Sequence, residues 1–346
     1  MSKPDRAAAP STSAAWKRAD TQWFCDARWG VFTHYLTSPE TTADEWNRRV
    51  NSFDVKALAA QVAATGARYY FITLGQGSGH YCAPNATYDG YVGISPSKCS
   101  RRDLVSDLYD ALQPYGIALM AYVPADGSWA DPVARQGLKM TAHWSEPGHN
   151  WGSGSHWAKF RLPAFQRIWE EVCRDWSRRF GRKVRGWWVD GAYAPAERYP
   201  ENEEPNYRSF ALALKAGNPD AIVAFNTGVA VPVISASPYE DYTAGELTGD
   251  LPVGGFGMGD NPAFCNAGPI KAFVNGARYH VLNFLGPWWC QSPLRFPTDL
   301  VTGYTRYLNQ HGGVVTWDVP IGTEGEIPEP FLEQLRAVGK ATGTRG

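Results

Sequence analysis

Short apolar runs rich in Val, Ile and aromatic residues recur along the chain, each followed by polar or Gly-rich punctuation and then a stretch of helical spacing. Trp29–Leu36 predicts a first strand, and the Ala-rich Val55–Thr65, closed by Gly66, predicts a helix. Tyr69–Leu74 is the second strand and runs into the glycine-rich Gly75–Gly79. Ser100, with Asp103 three residues on, predicts the N-cap of a helix over Leu104–Leu112. Ile117–Val123 is the third strand, followed by a long loop from Pro124 to Ala158 that carries His143, His149 and His156. The amphipathic Phe165–Phe180 leads to a fourth strand ending Val184-Arg-Gly-Trp-Trp-Val-Asp190. A helix over Phe210–Ala216 stops at Gly217-Asn-Pro219, before a fifth strand over Ala221–Asn226 and a shorter sixth near Tyr239–Glu246. Ile270–Asn275 reads as a weak helix and Tyr279–Leu285 as the seventh strand. Thr298–Asn309 is helical, Gly313–Val319 is the eighth strand, and Pro330–Lys340 is the last helix.

Strands that alternate with helices argue for a parallel sheet with helical crossovers, and eight of them favour a closed (β/α)₈ barrel. A doubly wound open sheet is the alternative, but no GxGxxG opens a helix after a first strand. The expected organisation is a disordered tail over 1–15 and one barrel domain over 16–346, with no C-terminal β-sandwich. Barrels of this type carry their sites at the C-terminal ends of the strands. Those ends are His34, Gln76, Tyr122, Asp190, Asn226, Glu246, Asn283 and Asp318, a polar set capping apolar strands.

Composition narrows the function. The 346 residues include 33 basic and 34 acidic side chains, a net charge of -1, which gives no reason to expect a nucleic-acid or anionic-membrane partner. Aromatics reach 14%, with 15 Trp, a supply of flat apolar faces suited to the C–H faces of a sugar ring. Met1–Ala15 lacks an apolar run and does not read as a secretory signal; nothing is long and apolar enough to span a bilayer. The six cysteines are scattered without metal-ligand spacing, so reduced thiols, no metal and a cytoplasmic setting are expected.

Asp190 carries the most specific chemistry. A carboxylate that ends a buried strand, followed by the permissive Gly191, belongs at the mouth of a sheet, where a ligand approaches closely. Glycosidic cleavage commonly uses two carboxyl groups, one to attack or activate water and one to protonate the leaving oxygen. Glu246 is the matching acid two strands further on, with Glu240 and Asp241 as competitors. His34 offers a hydrogen bond to a sugar hydroxyl, and Trp46, Trp129, Trp188, Trp288 and Trp289 are candidates for aromatic walls.

These motifs, in this order, resemble the catalytic domain of α-L-fucosidases of glycoside hydrolase family 29 over roughly residues 16–340. Trp23-Phe-Cys-Asp-Ala-Arg-Trp-Gly-Val-Phe-Thr-His34 is similar to the family's opening strand with its sugar-binding histidine, and Glu45-Trp46 to the Glu-Trp pair that follows. Arg102-Asp-Leu-Val105, Tyr122 through Trp129, and Gly312 through Gly322 resemble further family segments. Trp187-Trp-Val-Asp-Gly191 resembles the nucleophile strand, and Asp241-Tyr-Thr-Ala-Gly-Glu246 the acid/base segment. The resemblance implies a retaining hydrolase without metal or organic cofactor. Asp190 would be its nucleophile and Glu246 its acid/base; His34, Glu45, Trp46, Gln76, His80, Tyr122, Trp129, Trp188, Asn226, Trp288 and Asp318 would hold the carbohydrate. One departure stands out. Where the family has Lys-His-His-Asp-Gly-Phe, this chain reads Gly75-Gln-Gly-Ser-Gly-His80, so both sugar-gripping histidines are replaced, with His80 nearby as partial compensation. Hydrolysis of another sugar, or a sugar-binding barrel without catalysis, are therefore alternatives to a fucosidase.

Overall fold

A computed structural model describes residues 16–143, 159–249, 251–253 and 271–344. Its main sheet has seven parallel strands: β1 Trp29–Thr33, β2 Tyr69–Thr73, β3 Ala118–Pro124, β4 Val184–Asp190, β5 Ile222–Phe225, β8 His280–Phe284 and β9 Val314–Asp318. A separate two-stranded hairpin is formed by β6 Phe273–Val274 and β7 Ala277–Arg278. The seven strands curl in the order β5-β4-β3-β2-β1-β9-β8. Helices stand between successive strands, among them Val55–Thr65, Leu104–Leu112, Pro163–Phe180, Tyr207–Leu214, Thr298–Gln310 and Glu329–Thr342. The architecture is the TIM-type (β/α)₈ barrel that the alternation predicts; a doubly wound sheet is excluded by the β1–β9 and β9–β8 pairings, which carry the curl round from the first strand to the last.

The eighth stave is the stretch Asp241–Leu247, which fills the gap between β5 and β8. The Asp241 N–H donates to Val223 on one side; Thr243 N–H donates to Arg278, Leu282 N–H to Gly245, and Leu247 N–H to Leu282 on the other. The expected sixth strand is thus present only as isolated parallel bridges at Tyr242 and Glu246. Gly245 is the reason: it takes φ +61, and a Cβ there would lie 1.9 Å from the His280 carbonyl oxygen. The chain presses too closely on β8 to keep a regular ladder.

Strand alternation divides the core. Phe32, Tyr69, Phe71, Met120, Tyr122, Trp188, Ile222, Ala224, Leu282 and Val314 pack inside the barrel, with Phe24 among them. Their neighbours Val31, Tyr70, Ile72, Leu119, Ala121, Trp187, Val223, Val281 and Val315 face the helical layer. The lumen is filled to contact: a Cβ on Gly30 would meet the Tyr69 ring at 2.3 Å, and one on Gly186 would meet Met120 Cε at 2.3 Å. Two glycines on inward positions therefore make room for large neighbours.

Three local expectations are corrected. The stretch predicted as a weak helix ending at Asn275 is the start of the β6–β7 hairpin in its described part. Asn275 and Gly276 have φ +48 and +86, the Asn-Gly two-residue turn that matches strand twist. The helix over Leu104–Leu112 is capped by Asp103, which accepts the Ser106 N–H, rather than by Ser100. The long loop after β3 contains the helix Pro132–Gly137, started by Asp131. His149, His156, Cys265 and the expected tail over 1–15 lie outside the described residues. Among those described, five cysteines are free thiols, and no helix is long and apolar enough to cross a membrane.

Candidate active site

Parallel register delivers the strand-end side chains to one rim. Tyr122 and Trp188 are paired positions on β3 and β4, and their rings stack at 5.6 Å with planes 22° apart. Two residues beyond Trp188 the strand ends at half-buried Asp190. The Tyr122 hydroxyl donates to Asp190 Oδ2 at 2.7 Å and is itself reached by the Gln76 amide at 2.6 Å. Asn226, buried just past β5, donates Nδ2 to Asp190 Oδ1 at 2.9 Å and to Glu246 Oε2 at 2.8 Å. One amide thus bridges two carboxylates, so those two oxygens lie within about 6 Å of each other.

Electrostatics separates the pair. Burial, and then the charge of Asp190, push the Glu246 carboxyl up to about 7, against the opposing pull of Asn226 and His34. Two like charges this close repel, which favours the protonated form of Glu246. Burial and the Asp190 charge also raise the Tyr122 phenol well above its ordinary range, so it stays a donor at neutral pH.

Across the mouth, His34 Nδ1 lies 2.7 Å from Asp318 Oδ2. Asp318 is fully buried, and its other oxygen accepts the Cys290 N–H at 2.8 Å. The His34 ring lies 4.3 Å from that of Phe32 and 5.4 Å from that of Trp289. Asp318 therefore orients His34 from beneath and has no surface left for a sugar, contrary to its expected contact role.

Other expected site residues divide. Trp129 is half-buried at the rim, stacked on His143 at 4.7 Å; a Cβ on Gly77, next to Gln76, would meet its indole nitrogen at 2.3 Å. Trp288 is 51% exposed beside Phe284, whereas Trp289 is the tryptophan that reaches His34. Trp188 is 3% exposed and donates its indole N–H to Ala244, so it forms floor rather than wall. Trp46 packs in the core between sheet and helices and donates to Tyr81, because its helix turns that face inward; it is not an aromatic wall. Glu45 points along the same helix to Arg49 at 2.7 Å. His80 is buried against Trp46, 5.9 Å between rings, and does not extend to the rim to replace the missing histidines.

Glu240 and Asp241 are occupied as structural groups. Glu240 is fully buried and accepts the Ala236 and Phe225 N–H groups; burial pushes it up to about 8. Asp241 accepts Ala19 N–H, Val223 N–H and the Lys215 ammonium at 2.6 Å. Of the three acids weighed, Glu246 alone shares a hydrogen-bond partner with Asp190.

Two features of the site carry no sequence signal. Half-buried Tyr193 stands next to Gly228, whose Cβ would lie 3.5 Å from its ring. Burial, then Asp190 and Glu246, raise its phenol well above the usual range, so it too remains a donor. Behind Asp190, buried Arg198 donates to the Gly191 carbonyl at 3.0 Å and pairs with Asp126. Burial would raise the Asp126 carboxyl, but Arg198 and His143 outweigh it and hold it below the usual range. Gly191 has φ +74, and a Cβ there would come 3.1 Å from Asp126 Oδ2, so the turn after the carboxylate is both left-handed and tightly packed.

No family model matches the chain, and no curated protein matches it. Solved structures do. The endo-fucoidan hydrolase MfFcnA4 of glycoside hydrolase family 107 aligns with a TM-score of 0.64 at 18% identity, over 90% of this chain and 52% of its own. This chain thus spans about half the length of that protein. The α-L-fucosidase AlfC, in the form of a fucosyltransferase mutant, aligns with a TM-score of 0.58 at 14% identity, over 93% of this chain and 97% of that one. A bacterial fucosidase with a monovalent iminocyclitol inhibitor gives 0.59 at 17% identity, over 95% and 75%. At these identities the likeness establishes the barrel fold.

Proposed function

We propose that this protein is a retaining glycoside hydrolase acting on a terminal α-L-fucosyl or closely related sugar. The observation that carries the reading is the Asp190–Asn226–Glu246 bridge. It keeps two carboxyl oxygens within about 6 Å, near the 5–5.5 Å expected for double displacement and short of the spacing that admits a water for inversion. The Asp190 carboxylate attacks the anomeric carbon and the bond to the leaving oxygen breaks. Glu246 gives its proton to that oxygen. Water then attacks the glycosyl-enzyme, Glu246 takes the water's proton, and Asp190 leaves as carboxylate. Tyr122 holds Asp190 in its attacking orientation, while His34 and Trp289 border the sugar from the far side. The fold likeness to proteins named as fucosidases and endo-fucoidan hydrolases supports the sugar class.

Hydrolysis of a different sugar is favoured by one observation: Gln76, where the family has a histidine, spends its amide on Tyr122 rather than on open space. A panel of aryl glycosides, with the first-formed anomer read by NMR, tests both. Retention on an α-L-fucoside supports the first reading, and retention on another sugar the second. Inversion overturns double displacement, and binding without hydrolysis leaves a carbohydrate-binding barrel.

A further inference from the structure

The loop 227–239 joins the two residues that anchor the site, Asn226 and, through Glu240, the stave carrying Glu246. It contains no charged residue. Glu240 pins it at both ends, accepting the Phe225 N–H before it and the Ala236 N–H within it. Between this loop and Glu246 lies a small hollow of about 10 Å³, room for about one water, with Asn226 and Glu246 among its lining and Gly228, Ala230, Val233 and Ile234 as its wall. Along the same loop Val229, Val231 and Ile234 are each 49% exposed. Of the three, Ile234 also lines the hollow beside Glu246, and none of the loop residues carries a charge.

The opposite rim is unlike it. His34 supplies a polar ring there, with Trp289 as a flat face. A sugar ring, ringed by hydroxyls, matches that side. The group on the acid's side is the one that leaves, because an acid must reach the departing oxygen.

We infer that the loop 227–239 is the leaving-group subsite and that it takes an apolar, uncharged aglycone, an alkyl or aryl group rather than a charged glycan chain. The inference rests on the proposed hydrolase reading, with Glu246 as acid. The aglycone lies along Val229, Val231 and Ile234 with its oxygen toward Glu246. A charged chain would find no cation among residues 227–239 to pair with.

The test compares methyl and hexyl glycosides of the same sugar, whose leaving alcohols are nearly equal in basicity, with the glycosyl fluoride, whose leaving group touches no aglycone site. The sugar is chosen as the fluoride the wild type hydrolyses fastest. The hexyl glycoside is expected to exceed the methyl glycoside about tenfold in kcat/KM, from partial burial of the chain. The double variant Val231→Ser, Ile234→Ser should bring that ratio near one, with the hexyl-to-fluoride ratio falling in step. Fluoride hydrolysis with no hexyl preference overturns the subsite and leaves the hydrolase reading standing. A wild-type dimer that the double variant dissolves, again without hexyl preference, makes the loop a self-contact and also overturns it. Failure of the wild type on every fluoride in the panel removes the hydrolase reading and this inference with it.

Discussion

On the β4–β5 side of the mouth, Asp190 and Glu246 are half-buried and share the Asn226 amide; on the β1–β9 side, Asp318 is fully buried with one oxygen on His34 and the other on the Cys290 N–H. Both sides hold carboxylates at strand ends, yet they suit opposite tasks. Glu246 keeps some surface at the mouth, and burial beside Asp190 holds its carboxyl up to about 7. Asp318 is sealed from solvent and fixes a ring. What separates the carboxylates proposed to react from the positioning one is exposure rather than hydrogen bonding, since both oxygens of Asp190 and both of Asp318 already have a partner, yet only Asp190 and Glu246 keep surface at the mouth.

The strongest challenge to this contrast is Asp190→Ala, expected to lower kcat by ~10⁴-fold or more on an activated aryl glycoside. Wild-type rates in that variant would reverse the assignment of the two sides. Next, Glu246→Gln should cost about 10²–10⁴-fold on alkyl glycosides and far less on a glycosyl fluoride, which needs no proton. In the wild type, kcat/KM should fall as pH rises through about 7, where Glu246 loses its proton. Asn226→Ala sharpens the pairing. It removes the bond that favours the charged form of Glu246, so the alkaline limb should move upward; Asp190→Asn removes a repelling charge, so the Glu246 titration, followed by carboxyl NMR, should move downward. On the far side, Asp318→Asn should raise KM about tenfold with kcat nearly kept, as loss of ring orientation weakens binding rather than bond breaking. The smallest effect lies away from the mouth: Gly276→Ala, at φ +86 in the hairpin turn, should cost about 1 kcal/mol of stability with kcat unchanged, read as a lowered Tm.

Legibility followed the range of the interactions. Strand ends announced Asp190, Asn226, His34 and Asp318, because a parallel barrel sends every strand terminus to one rim. Trp187 and Trp188 were legible as strand residues, but not which would line the lumen; Trp188 faces in and Trp187 out. Trp46 and His80 read as sugar contacts because residue type says nothing of the face a side chain takes. The Asn275-Gly276 turn is written in the sequence as an Asn-Gly pair, beneath a weak helical spacing. Tyr193 and Arg198 left no mark, since each acts through neighbours brought close by the loop after β4.

From the chain alone came the alternation of strands and helices, the packing of apolar residues between them, and the polar residue at each strand's end; these depend on local spacing and on one-dimensional order. Folding supplied what depends on distances between staves. It placed Asn226 between two acids, let Glu246 rather than Glu240 or Asp241 face Asp190, and buried Asp318 under His34. A hydrogen bond near 2.8 Å discriminates among side chains that a sequence leaves equivalent, because its energy falls away within an ångström or so and only the closed barrel sets that separation.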